Sequence, residues 1–448
     1  MNDSFYNGLT GQIITPNDPE YEADRQIWNR AIQKFPKVIV YCYNEQDIRN
    51  AILWARNRCI GIRIRTGGHN YEGYSIGNDI LVIDISRMNK LEFDENERIL
   101  RIQGGVVNTQ IYELLGNLGY PFPSGTCPTV GAVGLTLGGG WGLSCRRYGL
   151  VCDSLLSLEL VDYNGRILTA NSCQNSNLFW ACRGGGGGNF GVVTSMTFKV
   201  PEKVNGVSFI EFYYSNANRE VMEVFIYIWQ NLLKKLDDRM TLVSRIYNSP
   251  AEGKAIYGNG IFYGTAEEAY EILKPFQLLT GMSLTAQYMP FIDAIRRIEY
   301  MYPAYEKFKS TGRFVQRDYD YEEIRNLISI VQERPEGSLF SGFSLFALGG
   351  KVKEKNKYET AFYYRNSRYI LSIQSRWEDD IYAEENIKWV NNNFEYVKSI
   401  TRGSYINFPF NKLRYYVEEY YGKNALRLRA INEKYDPCNV FRFPQSIN

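Results

Sequence analysis

At 448 residues, 44% of them hydrophobic, the chain exceeds the usual domain size about two- to threefold and can bury more than one core. Its 51 Lys plus Arg nearly balance 49 Asp plus Glu, which excludes the broad positive field of a nucleic-acid binder and points to a small-molecule partner. No basic segment followed by an apolar one opens the chain, and no apolar run reaches the roughly eighteen residues of a membrane span, so a soluble, cytoplasmic protein is expected.

After an irregular amino-terminal arm, Val38 to Tyr41 reads as a short strand, and Asn44 is placed to cap a helix running through Arg58 with Ile48, Ile52 and Ala55 on one face. Ile62-Arg63-Ile64-Arg65 alternates apolar and charged residues as a half-buried strand does, and leads into Thr66-Gly67-Gly68-His69-Asn70-Tyr71. Paired glycines let backbone N–H groups approach a ligand, and a turn of consecutive amides suits anionic oxygens. His69 is the only histidine in the chain, so any imidazole chemistry happens in this loop.

Further strands are expected at Ile80 to Ile85 and Ile99 to Gln103, then a helix from Asn108 closed by Gly119. Between residues 125 and 142 stand seven glycines (125, 131, 134, 138, 139, 140 and 142) interleaved with Val, Leu and Trp, which predicts a packed backbone cradle that is neither ordinary helix nor strand. Gly186, Gly188 and Gly191 formally spell GxGxxG, but a strand from Val192 to Val200 follows where a dinucleotide fingerprint requires a helix. This second glycine run reads instead as backbone passing close to an extended ligand.

Past Pro201 the texture changes to strand-like segments at 207–214, 240–247, 256–263, 339–348 and 361–377, with helices at 218–236, 266–275, 321–332 and 383–400. One antiparallel sheet covered by helices is expected, hence an α+β second domain. The eight cysteines include no CxxC pair, so no metal site is expected, and most read as small buried thiols.

Taken together these stretches resemble the berberine-bridge-enzyme-like FAD-linked oxidases of the vanillyl-alcohol-oxidase (PCMH-type) superfamily. Four motifs carry the likeness: residues 65–69, residues 125–131, residues 180–193, and the closing run from Tyr435 to Ile447. The resemblance implies a two-domain α+β fold, with an FAD-binding domain over 1–200, a substrate-binding domain over 201–405 and a return to the FAD domain over 406–448. It implies FAD attached twice, through His69 to the 8α-methyl and through Cys127 to C6. Arg65, Thr66, Gly67, Gly68, Asn70, Gly125, Thr126, Val130, Gly131, Gly134, Gly138, Gly139, Gly142, Gly191, Val193 and Asn407 are the implied cofactor contacts.

An alcohol oxidised by flavin gives hydride to N5 and its hydroxyl proton to a base. Tyr405, in Tyr405-Ile406-Asn407-Phe408, resembles the family's Tyr-x-Asn-Tyr stretch and is the expected base, with Tyr71 as helper; Phe408 replaces the family's second tyrosine. Tyr364 precedes Arg365 where relatives carry a histidine, and Val130 is more typical of oxidases, so O2 is the expected acceptor and hydrogen peroxide the product. Trp377, Tyr302, Tyr305 and Arg313 are candidates for the pocket wall. The leading reading is oxidation of a hydroxyl on a sugar or secondary metabolite. Against it stand a flavin dehydrogenase, an oxidative cyclase or desaturase, and a flavin-bearing protein without turnover; oligomeric state stays open.

Overall fold

The computed structural model describes residues 3–447. Strands Gln12–Ile14, Val38–Tyr41, Leu81–Asp84 and Ile62–Arg65 lie side by side in that order. The last three are parallel, and Gln12–Ile14 adds an antiparallel edge. Asn44 caps the helix Glu45–Asn57 by accepting from the Asp47 N–H, and Ile48, Ala51, Ile52 and Ala55 are buried. A five-stranded antiparallel sheet follows, in the order Leu91–Asp94, Ile99–Gln103, Val192–Lys199, Leu155–Val161, Ile167–Asn171.

The glycine-rich run differs from its expectation, because Ala132–Leu137 is a helix bounded by Gly131 and Gly138. Burial of Ala132, Val133 and Leu137 against the core offsets the helix penalty of Gly134.

Residues 207–377 build an eight-stranded antiparallel sheet in which Met240–Ser249 lies between Gly253–Phe262 and Ser338–Ala347, and Tyr369–Trp377 pairs beyond them. Residues 361–368 do not join that last strand. They form a loop pinned by Arg365, which makes a buried ion pair with Asp153. Strand Ser283–Met289 carries mostly exposed residues, as an edge strand can, and so shows little sequence pattern.

The two faces of the large sheet have different tasks. Leu242, Ile246, Phe343 and Ile373 join the core containing Phe225 and Trp229 of helix Arg219–Lys235. Val243, Ile261 and Ile370 instead pack with Trp141 and Tyr405, so this face is turned toward the amino-terminal half. The chain then returns through helix Ala425–Tyr435. Its end is tied to the second glycine run: Ile447 N–H donates to Asn189 Oδ1 at 3.0 Å, and the Tyr421 hydroxyl donates to Gly185 O at 2.8 Å. Among the described residues no helix is long and apolar enough to cross a membrane.

Candidate active site

Strand Ile62–Arg65 delivers the His69 loop, and Arg65 is spent holding it through a buried ion pair with Asp84. Gly67 is needed where the loop meets the next one, since a Cβ there would lie 2.4 Å from Thr129 O and 2.7 Å from Gly131 N. That backbone contact brings the two predicted anchor loops together. His69 Nε2 lies 2.8 Å from Thr129 Oγ1, and Cys127 Sγ lies 3.9 Å from the same oxygen. The Trp28 ring stacks on the imidazole at 4.9 Å. Burial holds His69 neutral by lowering its pKa to about 4 and pushes the Cys127 thiol up to about 11.

An elongated cavity runs from His69 between the two glycine runs. Of the predicted contacts, Thr66, Gly67, Gly68, Asn70, Gly131, Gly134, Gly191, Val193 and Asn407 line it, together with Gly186, Gly187 and Gly188. Two observations test whether FAD suits this space. A Cβ on Gly134 would meet nothing within 4 Å, so the backbone there faces room that a ligand can fill. Tyr74 and Ser75 line the cavity with buried hydroxyls that lack a protein partner, and Trp28 Nε1 beside His69 is likewise unpaired. Such orphaned groups call for a polar ligand, and an FAD pyrophosphate and ribityl chain supplies the matching atoms.

Other predicted contacts serve the fold. A Cβ on Gly138 would fall 2.0 Å from Asn407 Oδ1, one on Gly139 2.7 Å from Phe362, one on Gly142 1.9 Å from Ser124 O and one on Gly125 3.0 Å from Leu135. These glycines allow chain to pack on chain and do not line the cavity. Tyr405 does not line it either. Its ring is buried among Phe314, Phe362 and Phe408, and its oxygen accepts from Gly140 N (3.2 Å), Trp141 N (3.1 Å) and Asn407 Nδ2 (3.0 Å). Burial nevertheless pushes its phenol up to about 12. Tyr71 stacks on Phe408 at 5.0 Å and 4°, and its hydroxyl has no hydrogen-bond partner among the described residues.

Beyond His69, Cys127, Val130, Tyr71 and Phe408 are buried only in part although they lie between the two halves of the molecule, as are Phe346 and Arg245 on the facing sheet. A cleft therefore continues past the cavity toward the sheet. The Tyr302 hydroxyl reaches it, 2.6 Å from Thr126 Oγ1. The other wall candidates do not: Trp377 is buried at 1% exposure, Arg313 pairs with Glu419, and Tyr305 is on the surface. Thr129 and Trp28 are functional neighbours that sequence reasoning missed. Thr129 lies inside the 125–131 motif, whereas Trp28 lies in an arm with no periodicity.

The FAD binding domain profile matches residues 36–171, and the berberine and berberine-like profile matches residues 404–448. The chain is 37% identical to the uncharacterized FAD-linked oxidoreductase YgaK of Bacillus subtilis, over 98% of this chain and 97% of that one. BBE-like 1 of Physcomitrella patens superposes with a TM-score of 0.90 at 25% identity, covering 99% and 98% of the two chains. Glucooligosaccharide oxidase of Acremonium strictum, described with a 6-S-cysteinyl, 8α-N1-histidyl FAD, shares the fold at a TM-score of 0.89 and 21% identity, covering 98% and 97%. The fold and site define an FAD-linked oxidoreductase. The chain belongs to the berberine-bridge-enzyme-like family.

Proposed function

We propose that the protein is an oxidase that holds FAD through both His69 and Cys127 and oxidises a C–OH carbon of a sugar or secondary-metabolite substrate, with O2 as acceptor and hydrogen peroxide as product. The observation that carries this is the shared Thr129 hydroxyl, which joins the lone histidine and Cys127 at one end of the cavity. The doubly linked flavin named for the Acremonium oxidase agrees with it.

Bound FAD supplies the two-electron acceptor; the chain supplies position and proton handling. The neutral imidazole is the nucleophilic form, and in the tautomer whose Nε2–H donates to Thr129 the lone pair is on Nδ1. On the substrate side we assign Tyr71 the role of holding the reacting hydroxyl and receiving its proton, because its hydroxyl is free and it stands two residues from His69. Tyr405, expected from its motif to be the base, is assigned a supporting role because its ring is 1% exposed and lines no part of the cavity, although the three N–H groups on its oxygen favour its phenolate. Partly exposed Val130 beside the Cys127 loop supports access for O2.

Anaerobic mixing with a panel of sugars and alcohols tests the reading. Bleaching of the flavin at 1:1 stoichiometry, followed by peroxide when air is admitted, is expected. A flavin that stays oxidised with every alcohol, or that is reduced but reoxidised by quinones and not by air, contradicts it.

A further inference from the structure

Arg245 lies in the middle of strand Met240–Ser249, two residues from Val243 and on the same face. It is opposite Tyr257 on one side and Ser344 on the other. Ser344 is in turn two residues before Phe346, whose ring lies 5.3 Å from Phe408. The Arg245 backbone therefore lies about 7 Å along the sheet from the Val243–Phe346 pair, and Phe346 leads into the aromatic cluster that includes Tyr71. It also acts on the phenol of Tyr302, the residue that hydrogen-bonds the Cys127 loop.

The nearby carboxylates are already engaged. Glu211 accepts from the Tyr257 hydroxyl at 2.9 Å, Glu252 from the Tyr247 hydroxyl at 2.7 Å, and Glu306 pairs with Arg376 at 2.6 Å. Arg245 itself has no ion pair and no hydrogen bond among the described residues, only the face of the Tyr257 ring at 5.7 Å. A half-buried arginine without a counter-ion is costly to keep unless something supplies the charge. Asn259, cross-strand from Val243 and 2% exposed, adds a buried amide oxygen without a partner on this face.

Resting on the reading of this cleft as the substrate side of the oxidase, we infer that Arg245 receives a carboxylate on the substrate, with Asn259 beside it to take a substrate hydroxyl. One guanidinium fork matches a carboxylate in shape and charge. A phosphate dianion would meet only a single cation, which balances one of its two charges.

The test is calorimetric titration of the flavin-loaded protein with glucuronate against glucose, and benzoate against benzamide, for the wild type, R245M, R245Q and R245K. Carboxylates are expected to bind about tenfold or more tightly than their neutral counterparts in the wild type. That preference should vanish in R245M and R245Q and survive in part in R245K. Arg245 holds no other element, so the variants keep the wild-type circular dichroism and flavin content. Equal affinity within each pair, no carboxylate binding, or a preference that persists in R245M overturns the inference. Binding is read whether or not flavin is reduced. A protein with the Arg245-dependent preference that oxidises no alcohol loses only the oxidase reading, and one that oxidises alcohols without the preference loses only this inference.

Discussion

The Nε2 of His69 rests 2.8 Å from the hydroxyl of Thr129, two residues past Cys127. One small side chain thus orients the histidine and borders the thiol. T129V keeps the shape and removes the hydrogen bond, so it should lower the fraction of covalently held flavin in freshly loaded protein. T129S should restore it. Full covalent loading of T129V at the wild-type rate would remove Thr129 from the account.

Attachment at the two anchors should respond differently to pH. His69 is depressed to about 4, so its nucleophilic form is complete at neutral pH and persists well below the usual histidine value of about 6.5. Cys127 is raised to about 11, so its thiolate grows with every step of pH toward that value. In C127A, covalent loading should be flat from pH 8 down to about 5; in H69A it should climb between pH 7 and 10. Loading measured by mass spectrometry with both slopes equal would contradict this.

Tyr71 and Tyr405 separate by the kind of damage they cause. Y71F should slow flavin reduction about a hundredfold or more with little loss of stability. Burial raises the Tyr71 phenol well above 10, so in the wild type the alkaline limb of kcat/KM should still be rising at pH 9, and Y71F should lack it. Y405F strands the buried N–H groups of Gly140 and Trp141 and should cost about 1–3 kcal/mol in thermal unfolding. A stable Y405F with no flavin reduction would return the base to Tyr405.

Much of the scaffold was legible in the sequence because its signals are local. Asn44 three residues ahead of Asp47 and the long apolar helices of the second half each report their own backbone; Ile62–Arg65 is the expected strand, but its buried residues are Ile62 and Arg65 and not the two isoleucines. The edge strand Ser283–Met289 and the loop at 361–368 were not legible, since one has little buried face and the other is fixed by a distant ion pair. The same limit applies at the site. Glycines 134 and 142 look alike in a sequence, yet one borders open space and the other touches Ser124 O. The motif singles out Tyr405, and the fold adds that Gly140, Trp141 and Asn407 each donate to its oxygen.

Those two glycines yield a paired prediction. G142A forces a Cβ to within 1.9 Å of a backbone oxygen and should destabilise the protein by about 1–3 kcal/mol or more. G134A gains helix propensity of up to about 1 kcal/mol, so it should fold well but carry less flavin, because its methyl occupies the cradle. Thermal midpoints and flavin-to-protein ratios check both, and equal flavin content in G134A and wild type would show that the cradle lies elsewhere.

The most direct measurement is the mass and visible spectrum of acid-denatured protein for the wild type, H69A, C127A and the double variant. The account predicts yellow polypeptide, heavier by one FAD, in the wild type and in each single variant, with colour released only from the double. Complete release of flavin from the denatured wild type would contradict the assignment of His69 and Cys127 as anchors.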